Sequence, residues 1–152
     1  MLTQKEAAEL VKYCYENGDF EKLFPHMTQS YEHMSFWVLE VLRGKEKAVN
    51  YYTGKGDAIK KSGAPSKGTL VRILKAPDKV RPNGMYRGGV RMIEDPACCH
   101  RQDEGKIAVR FCQYVEQDGG DVFTLAIPTL SEDGMLSQLL ITEPGFYETE
   151  EL

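Results

Sequence analysis

The amino-terminal part of the chain carries apolar residues at helical spacing. Thr3 and Glu6 match the capping box, in which a threonine hydroxyl and a glutamate carboxylate satisfy free backbone donors at a helix start. Helical periodicity follows, and Gly18 suits the left-handed conformation that ends many helices. Asp19 can cap a second, short helix that Pro25 ends. The pattern therefore predicts a long helix followed by a short one.

A strand and a third helix come next in the pattern. The aromatic and β-branched residues of Ser30–Leu39 predict a half-buried strand, which Gly44 ends. Lys45–Lys61 has helical spacing, although Gly54 and Gly56 lower the helix propensity in its middle. Four side chains of this helix are expected to face the core: Ala48, Val49, Tyr52 and Ile59.

The rest of the chain has the alternation of β-strands. Thr69–Lys75 predicts a strand, and a loop rich in proline and glycine follows it, marked by Pro77, Pro82, Asn83 and Gly84. From Gly89 onward, strands alternate with turns of two to five residues, which require antiparallel neighbours. We expect Ile107, Val109 and Phe111 to share one face, and Phe123, Leu125 and Ile127 to share one face of the next strand. The acidic tail after Tyr147 is expected to fray.

The order of these elements, with Asn17-Gly18-Asp19 and Arg43-Gly44-Lys45-Glu46 as landmarks, resembles the NTF2-like (SnoaL-type, cystatin-like) superfamily. The resemblance covers nearly the whole chain. It implies an α+β fold in one domain over residues 1–152: a cone of three N-terminal helices packed on a strongly bent, mostly antiparallel six-stranded sheet. The superfamily includes isomerases, dehydratases, cyclases, epoxide hydrolases and transport adaptors, so the fold alone does not fix the function.

One enzymatic branch of the superfamily can be excluded from the residues. Ketosteroid isomerases place a tyrosine on the first helix and a general-base aspartate on the first strand, and the matching positions here are Val11 and Ser35. A valine donates no hydrogen bond to an enolate, and a serine hydroxyl without a partner is far too weak a base. We therefore do not expect this chemistry.

A candidate pocket follows from strand alternation. If Ser35 faces the cone, Tyr31, His33, Trp37 and Leu39 lie on the same face. The first helix adds its own inward residues, and later strands close the opposite wall. The predicted ligand-binding residues are Val11, Tyr15, His33, Ser35, Trp37, Phe111 and Phe123.

Two histidines are the candidate catalytic groups, because imidazole can act as an acid or a base near neutral pH. They are His33, on the first strand, and His100, before the turn that ends at Gly105. A bland alternative remains open for each. His33 can be a hydrogen-bonded wall residue, and His100 can be a solvated turn residue.

Composition and charge limit the classes of partner and cofactor that we expect this protein to bind. The net charge of −4 argues against nucleic acid, and the apolar runs are too short for a membrane span. The four cysteines and an amino terminus without a signal-peptide pattern favour the cytoplasm. Cys98-Cys99-His100 matches no metal motif, so we expect neither a metal nor a cofactor. The basic stretch from Lys55 to Lys67, interrupted by Asp57, is interpreted as a solvated helix face.

Three functional hypotheses remain from the sequence. The favoured one is a protein of unassigned activity that binds a small hydrophobic molecule in the cone. The second is a lyase, isomerase or hydrolase that acts on a small cyclic or hydrophobic substrate through a pocket histidine. The third is an interaction module without a ligand. A homodimer through the outer sheet face is also expected, because both faces of the late strands look apolar and a bare apolar strip marks an interface.

Overall fold

The computed structural model describes residues 1–35, 41–62, 66–76, 80–86, 89–94, 103–115 and 120–152, with backbone alone in 80–94, 113–115 and 120–122. Its helices are α1 (Gln4–Asn17), α2 (Lys45–Ser62) and the 3₁₀ helices Phe24–His26 and Pro144–Phe146. Its strands are β1 (Met27–Ser35), β2 (Leu42–Arg43), β3 (Lys67–Lys75), β4 (Val80–Tyr86), β5 (Gly89–Glu94), β6 (Ile107–Val115), β7 (Gly120–Leu130), β8 (Leu136–Thr142) and β9 (Glu148–Glu151).

The main sheet has seven strands in the order β2-β1-β8-β7-β6-β3-β9, and β4 pairs with β5 in a second sheet. All neighbours in the main sheet are antiparallel except β1 and β8. The predicted α+β class and the mostly antiparallel order are confirmed. The prediction of a six-stranded sheet was wrong, because the main sheet has seven strands. The tail expected to fray forms β9 on the edge of β3, where Arg72 and Arg110 pair with Glu150 and Glu151 at 3.9 and 2.8 Å.

The helices also differ from the prediction of three, because the described residues form two α-helices. The capping box of Thr3 and Glu6 is present, as is the left-handed Gly18. The expected second helix is a turn in which Asp19 accepts a hydrogen bond from the Glu21 amide at 3.3 Å. A three-residue 3₁₀ helix follows with Pro25 inside it, since proline needs no amide partner in a first helical turn. Neither α-helix among the described residues is long and apolar enough to cross a membrane.

The segment expected to be a loop after β3 contains β4. Its backbone pairs with β5 from Val80 to Tyr86, and the register shifts between Pro82 and Met85. Such a bulge accommodates a proline that cannot donate to the ladder. The strand expected over Ser30–Leu39 begins earlier, at Met27, and its predicted end at residues 36–39 lies outside the described residues.

Each face of the main sheet has its own apolar cluster. The helices cover one face, where Tyr31, Val109, Phe111 and Ala126 pack with α1 and α2. The predicted alternation of β6 is thus confirmed. The other face carries the second cluster, made of Met34, Val71, Ile73, Ala76, Ala108, Leu125, Ile127, Leu140 and Tyr147. Each of these residues is at most 8% exposed within one chain, so this strip is not the bare surface from which the homodimer was inferred.

The two helices meet at a close contact between glycines. A Cβ atom on Gly56 would lie 2.5 Å from the Gly18 carbonyl oxygen, and one on Gly18 would lie 2.8 Å from the Gly56 oxygen. Gly18 also needs its positive φ of 66° to end α1. Gly56 lowers the intrinsic propensity of α2, but it allows the helix to pack against the end of α1, which fixes Tyr52 over the sheet.

Candidate functional site

A buried hydrogen-bonded chain of three side chains links β1 to α2. The Tyr31 and Tyr52 hydroxyl oxygens are 2.5 Å apart, and the Tyr52 hydroxyl is 2.8 Å from Nδ1 of His33. All three residues are fully buried. We call this group the Tyr–Tyr–His chain.

Local structure explains how the chain of hydrogen bonds is assembled. Residues two apart on a strand share a face, so β1 turns both Tyr31 and His33 toward the helices. The Gly44 amide donates to the Tyr31 carbonyl at 2.8 Å and anchors the start of α2 beside β1. Phe20 stacks on the Tyr52 ring with centroids 5.0 Å apart, which holds that ring in place.

Burial keeps the whole group uncharged at neutral pH. Desolvation, followed by the nearby charge of Lys55, lowers the pKa of His33 to about 4. Desolvation also raises the pKa of both Tyr31 and Tyr52 well above the usual value. The Tyr–Tyr–His chain is therefore a neutral network of hydrogen-bond donors and acceptors rather than an ion pair.

Counting donors sets the direction of the hydrogen bonds. If Tyr31 donates to Tyr52 and Tyr52 donates to Nδ1, both hydroxyl protons are used and Nε2 of His33 carries the ring proton. The reverse direction leaves the buried Tyr31 hydroxyl proton without an acceptor among the described residues, at about 1–3 kcal/mol. We therefore assign His33 as the Nε2–H tautomer.

Nε2 of His33 is the ring nitrogen that takes no part in the Tyr–Tyr–His chain. It is buried and has no hydrogen-bond partner among the described residues. In that tautomer it presents a donor, so the group that completes it must be an acceptor.

Two side chains of α2 flank His33, one helical turn apart. The Tyr51 ring lies 4.8 Å from the His33 ring. Lys55 follows Tyr51 by four residues on the same helix face, and its side chain is half-buried. Burial lowers the pKa of Lys55 and raises that of Tyr51. The expected solvated helix face is thus wrong for Lys55.

Comparisons with known proteins agree with this architecture. An NTF2-like protein from Anabaena variabilis ATCC 29413 matches 96% of this chain and 87% of its own, with a TM-score of 0.51 and 8% identity. A candidate polyketide cyclase from Sinorhizobium meliloti matches 93% of this chain and all of its own, with a TM-score of 0.50 and 9% identity. The protein has the NTF2-like fold. No family model and no curated protein matches the sequence. Identities this low show the NTF2-like fold and leave the activity open.

The NTF2-like fold brings most of the predicted pocket residues to the helix-covered face. Val11, Tyr15 and Phe111 are buried in the cluster that contains Tyr31, and the Tyr15 and Phe111 rings are 4.8 Å apart. Ser35 is also buried and continues the alternation of His33. Their role in binding stays a prediction.

One predicted site residue is not brought to this face, and two others lie outside the described residues. Phe123 is 51% exposed and shares its strand face with Leu125 and Ile127, which belong to the cluster on the side of the sheet away from the helices. Its assignment to the pocket wall is therefore corrected, since the alternation of β7 places it outside. Trp37 and His100 lie outside the described residues.

Sequence reasoning missed the tyrosines of α2. Tyr52 was assigned to the core, but its hydroxyl pairs with residues 19 and 21 positions away. The available signal was the Tyr51-Tyr52 pair on a helix that faces a strand with a tyrosine and a histidine on one side. Pairing of tyrosine hydroxyls with that strand could have been proposed from this signal alone.

A separate cleft lies on the other side of α2. Its volume is about 250 Å³, and it is lined by Gly18, Asp19, Phe20, Glu21, Phe24, Tyr52, Thr53, Gly56, Asp57 and Lys60. His33 is not part of its lining, and Tyr52 is the one member of the Tyr–Tyr–His chain that the cleft shares with the candidate site. Within the parts of the chain that the structure describes, no three histidine, cysteine or acidic side chains cluster as a metal site would require.

Proposed function

We propose that the protein binds a small, mainly apolar molecule between its helices and its sheet, with Nε2 of His33 as a polar contact. The observation that carries this proposal is the buried Nε2 without a partner. An unmet buried polar group costs about 1–3 kcal/mol, so such groups are rarely left unfilled without a reason. A ligand acceptor would remove this cost.

The surroundings of Nε2 fit a ligand pocket. Such sites are mostly apolar and aromatic, with a few polar groups that fix orientation. Tyr51 borders the His33 ring, and Val11, Tyr15 and Phe111 belong to the apolar cluster on the same side of the sheet. The hydrogen bond from Tyr52 to Nδ1 holds the His33 imidazole in place, so Nε2–H would present a rigid donor to a ligand.

A second candidate function is catalysis on a small cyclic or hydrophobic substrate. A pKa of about 4 makes His33 a poor general base at neutral pH. A neutral imidazole can still polarise a carbonyl through its N–H group, as in known isomerases. If His33 is catalytic, we expect this electrophilic role in an isomerase, lyase or hydrolase.

The test is binding of 2-acetylnaphthalene, a neutral fluorescent ketone with one carbonyl acceptor. We expect saturable binding with one probe per chain. His33→Asn should weaken it about tenfold, because the asparagine amide can still bond Tyr52 but offers no group at Nε2. His26→Asn, in the 3₁₀ helix, is the matched control and should bind like the wild type. Absence of saturable binding, or equal effects of both substitutions, would contradict the proposal.

A further inference from the structure

Lys55 differs from two of the other half-buried lysines, which are paired with carboxylates. Lys12 bonds Glu16 at 2.9 Å, and Lys106 bonds Asp103 at 2.8 Å. Lys55 has no ion pair among the described residues, and burial is what lowers its pKa. A half-buried ammonium without a carboxylate loses hydration that nothing in the described part of the chain replaces.

The acidic residues nearest in sequence point elsewhere. Glu32 precedes His33 on β1, so it faces the opposite side of the sheet, where it pairs with Arg43 at 3.7 Å. Asp57 lines the cleft on the other side of α2. The helix-covered side of His33 therefore combines a positive charge with a neutral N–H donor.

The charge of Lys55 is near enough to His33 to contribute to the lowered pKa of its imidazole. The Tyr51 ring touches His33, and Lys55 is one turn further along the same face of α2. Two donors and one positive charge suit an anionic oxygen, and they disfavour a cationic ligand or a metal ion. An oxyanion of a small organic acid satisfies both groups at once.

We propose that the ligand is a small apolar carboxylic acid whose carboxylate is bound jointly by Lys55 Nζ and His33 Nε2. This inference rests on the proposed function and names the chemical class of its ligand. The apolar part of the acid packs against Tyr51 and the helix-facing core, and the carboxylate completes both donors.

The experiment compares two probes of nearly equal size, 2-naphthoate and 2-acetylnaphthalene, which differ in charge. Wild-type protein should bind 2-naphthoate about tenfold more tightly, since a hydrogen bond to a carboxylate is stronger than one to a neutral carbonyl. Lys55→Gln should remove this preference and leave 2-acetylnaphthalene binding within about twofold. Lys55→Arg should restore most of the naphthoate affinity.

Lys60→Gln is the matched control, because Lys60 lies on the same helix but lines the separate cleft. It should change neither affinity. Equal binding of the two probes to the wild type, or an equal effect of the two lysine substitutions, would overturn the carboxylate inference while leaving the proposed function intact. If neither probe binds, the result contradicts both the proposed function and this inference.

Discussion

Protonation of His33 should make the stability of this protein depend on pH in a defined window. The folded chain holds the pKa of His33 at about 4, against an ordinary value of 6.5, because the ring is buried. At pH values between these two pKa values, His33 is protonated in the unfolded chain and neutral in the folded chain. The contribution of His33 to stability is therefore full above about pH 6.5 and declines as the pH falls toward 4.

The size of the effect follows from the two pKa values. Each pH unit between them is worth about 1.4 kcal/mol, so the full loss is roughly 3 kcal/mol, with about 2 kcal/mol lost by pH 5. Urea unfolding at pH 7, 6, 5 and 4.5 measures the free energy of unfolding directly. His33→Asn removes the titrating group and keeps an amide beside Tyr52.

The comparison between proteins isolates this one histidine, because carboxylates titrate in both. The stability advantage of the wild type over His33→Asn should shrink by about 2 kcal/mol between pH 7 and pH 5. His26→Asn should follow the wild-type curve. Parallel curves for wild type and His33→Asn would refute the claim that His33 is buried in its neutral form.

Three further predictions concern the helices, the Tyr–Tyr–His chain and assembly. Gly56→Ala should destabilise by about 1–3 kcal/mol in thermal melts, because its Cβ would meet the Gly18 oxygen at 2.5 Å. Gly54→Ala, with open space around it, should stabilise by about 0.5–1 kcal/mol, and the same sign for both would contradict the glycine contact. Tyr52→Phe should cost about 1–3 kcal/mol, and an unchanged midpoint would argue against the chain of hydrogen bonds. The homodimer stays a prediction of the sequence, but its apolar strip is covered except at Phe123, so sedimentation should give the 17.2 kDa monomer, and a stable dimer would contradict this expectation.

Local signals predicted the elements whose structure is set by neighbouring residues. The capping box at Thr3 and Glu6, the stop at Gly18 and nearly the full extent of α2 all follow from short-range patterns. The shared face of Tyr31, His33 and Ser35 also followed from alternation along β1, once the family resemblance placed Ser35 toward the cone. These features depend on backbone satisfaction and on periodicity, which the sequence shows directly.

The missed features depend on contacts between distant segments. The tail becomes β9 through backbone pairing with β3, where Arg72 and Arg110 also meet Glu150 and Glu151. That Lys55 forms no ion pair within the described part of the chain likewise depends on where the acidic residues of other elements point. Local propensity carries no information on such pairings, so the ligand class could not be derived from the pattern alone.

The most direct test of the central claim is ¹⁵N NMR of the His33 ring at pH 7, with and without 2-acetylnaphthalene. We expect a neutral imidazole with its proton on Nε2 and a hydrogen-bonded Nδ1 in the free protein. Addition of the probe should shift the Nε2 signal strongly and the Nδ1 signal little. A protonated imidazole or a proton on Nδ1 would contradict the account. So would an Nε2 signal that does not shift when the probe binds.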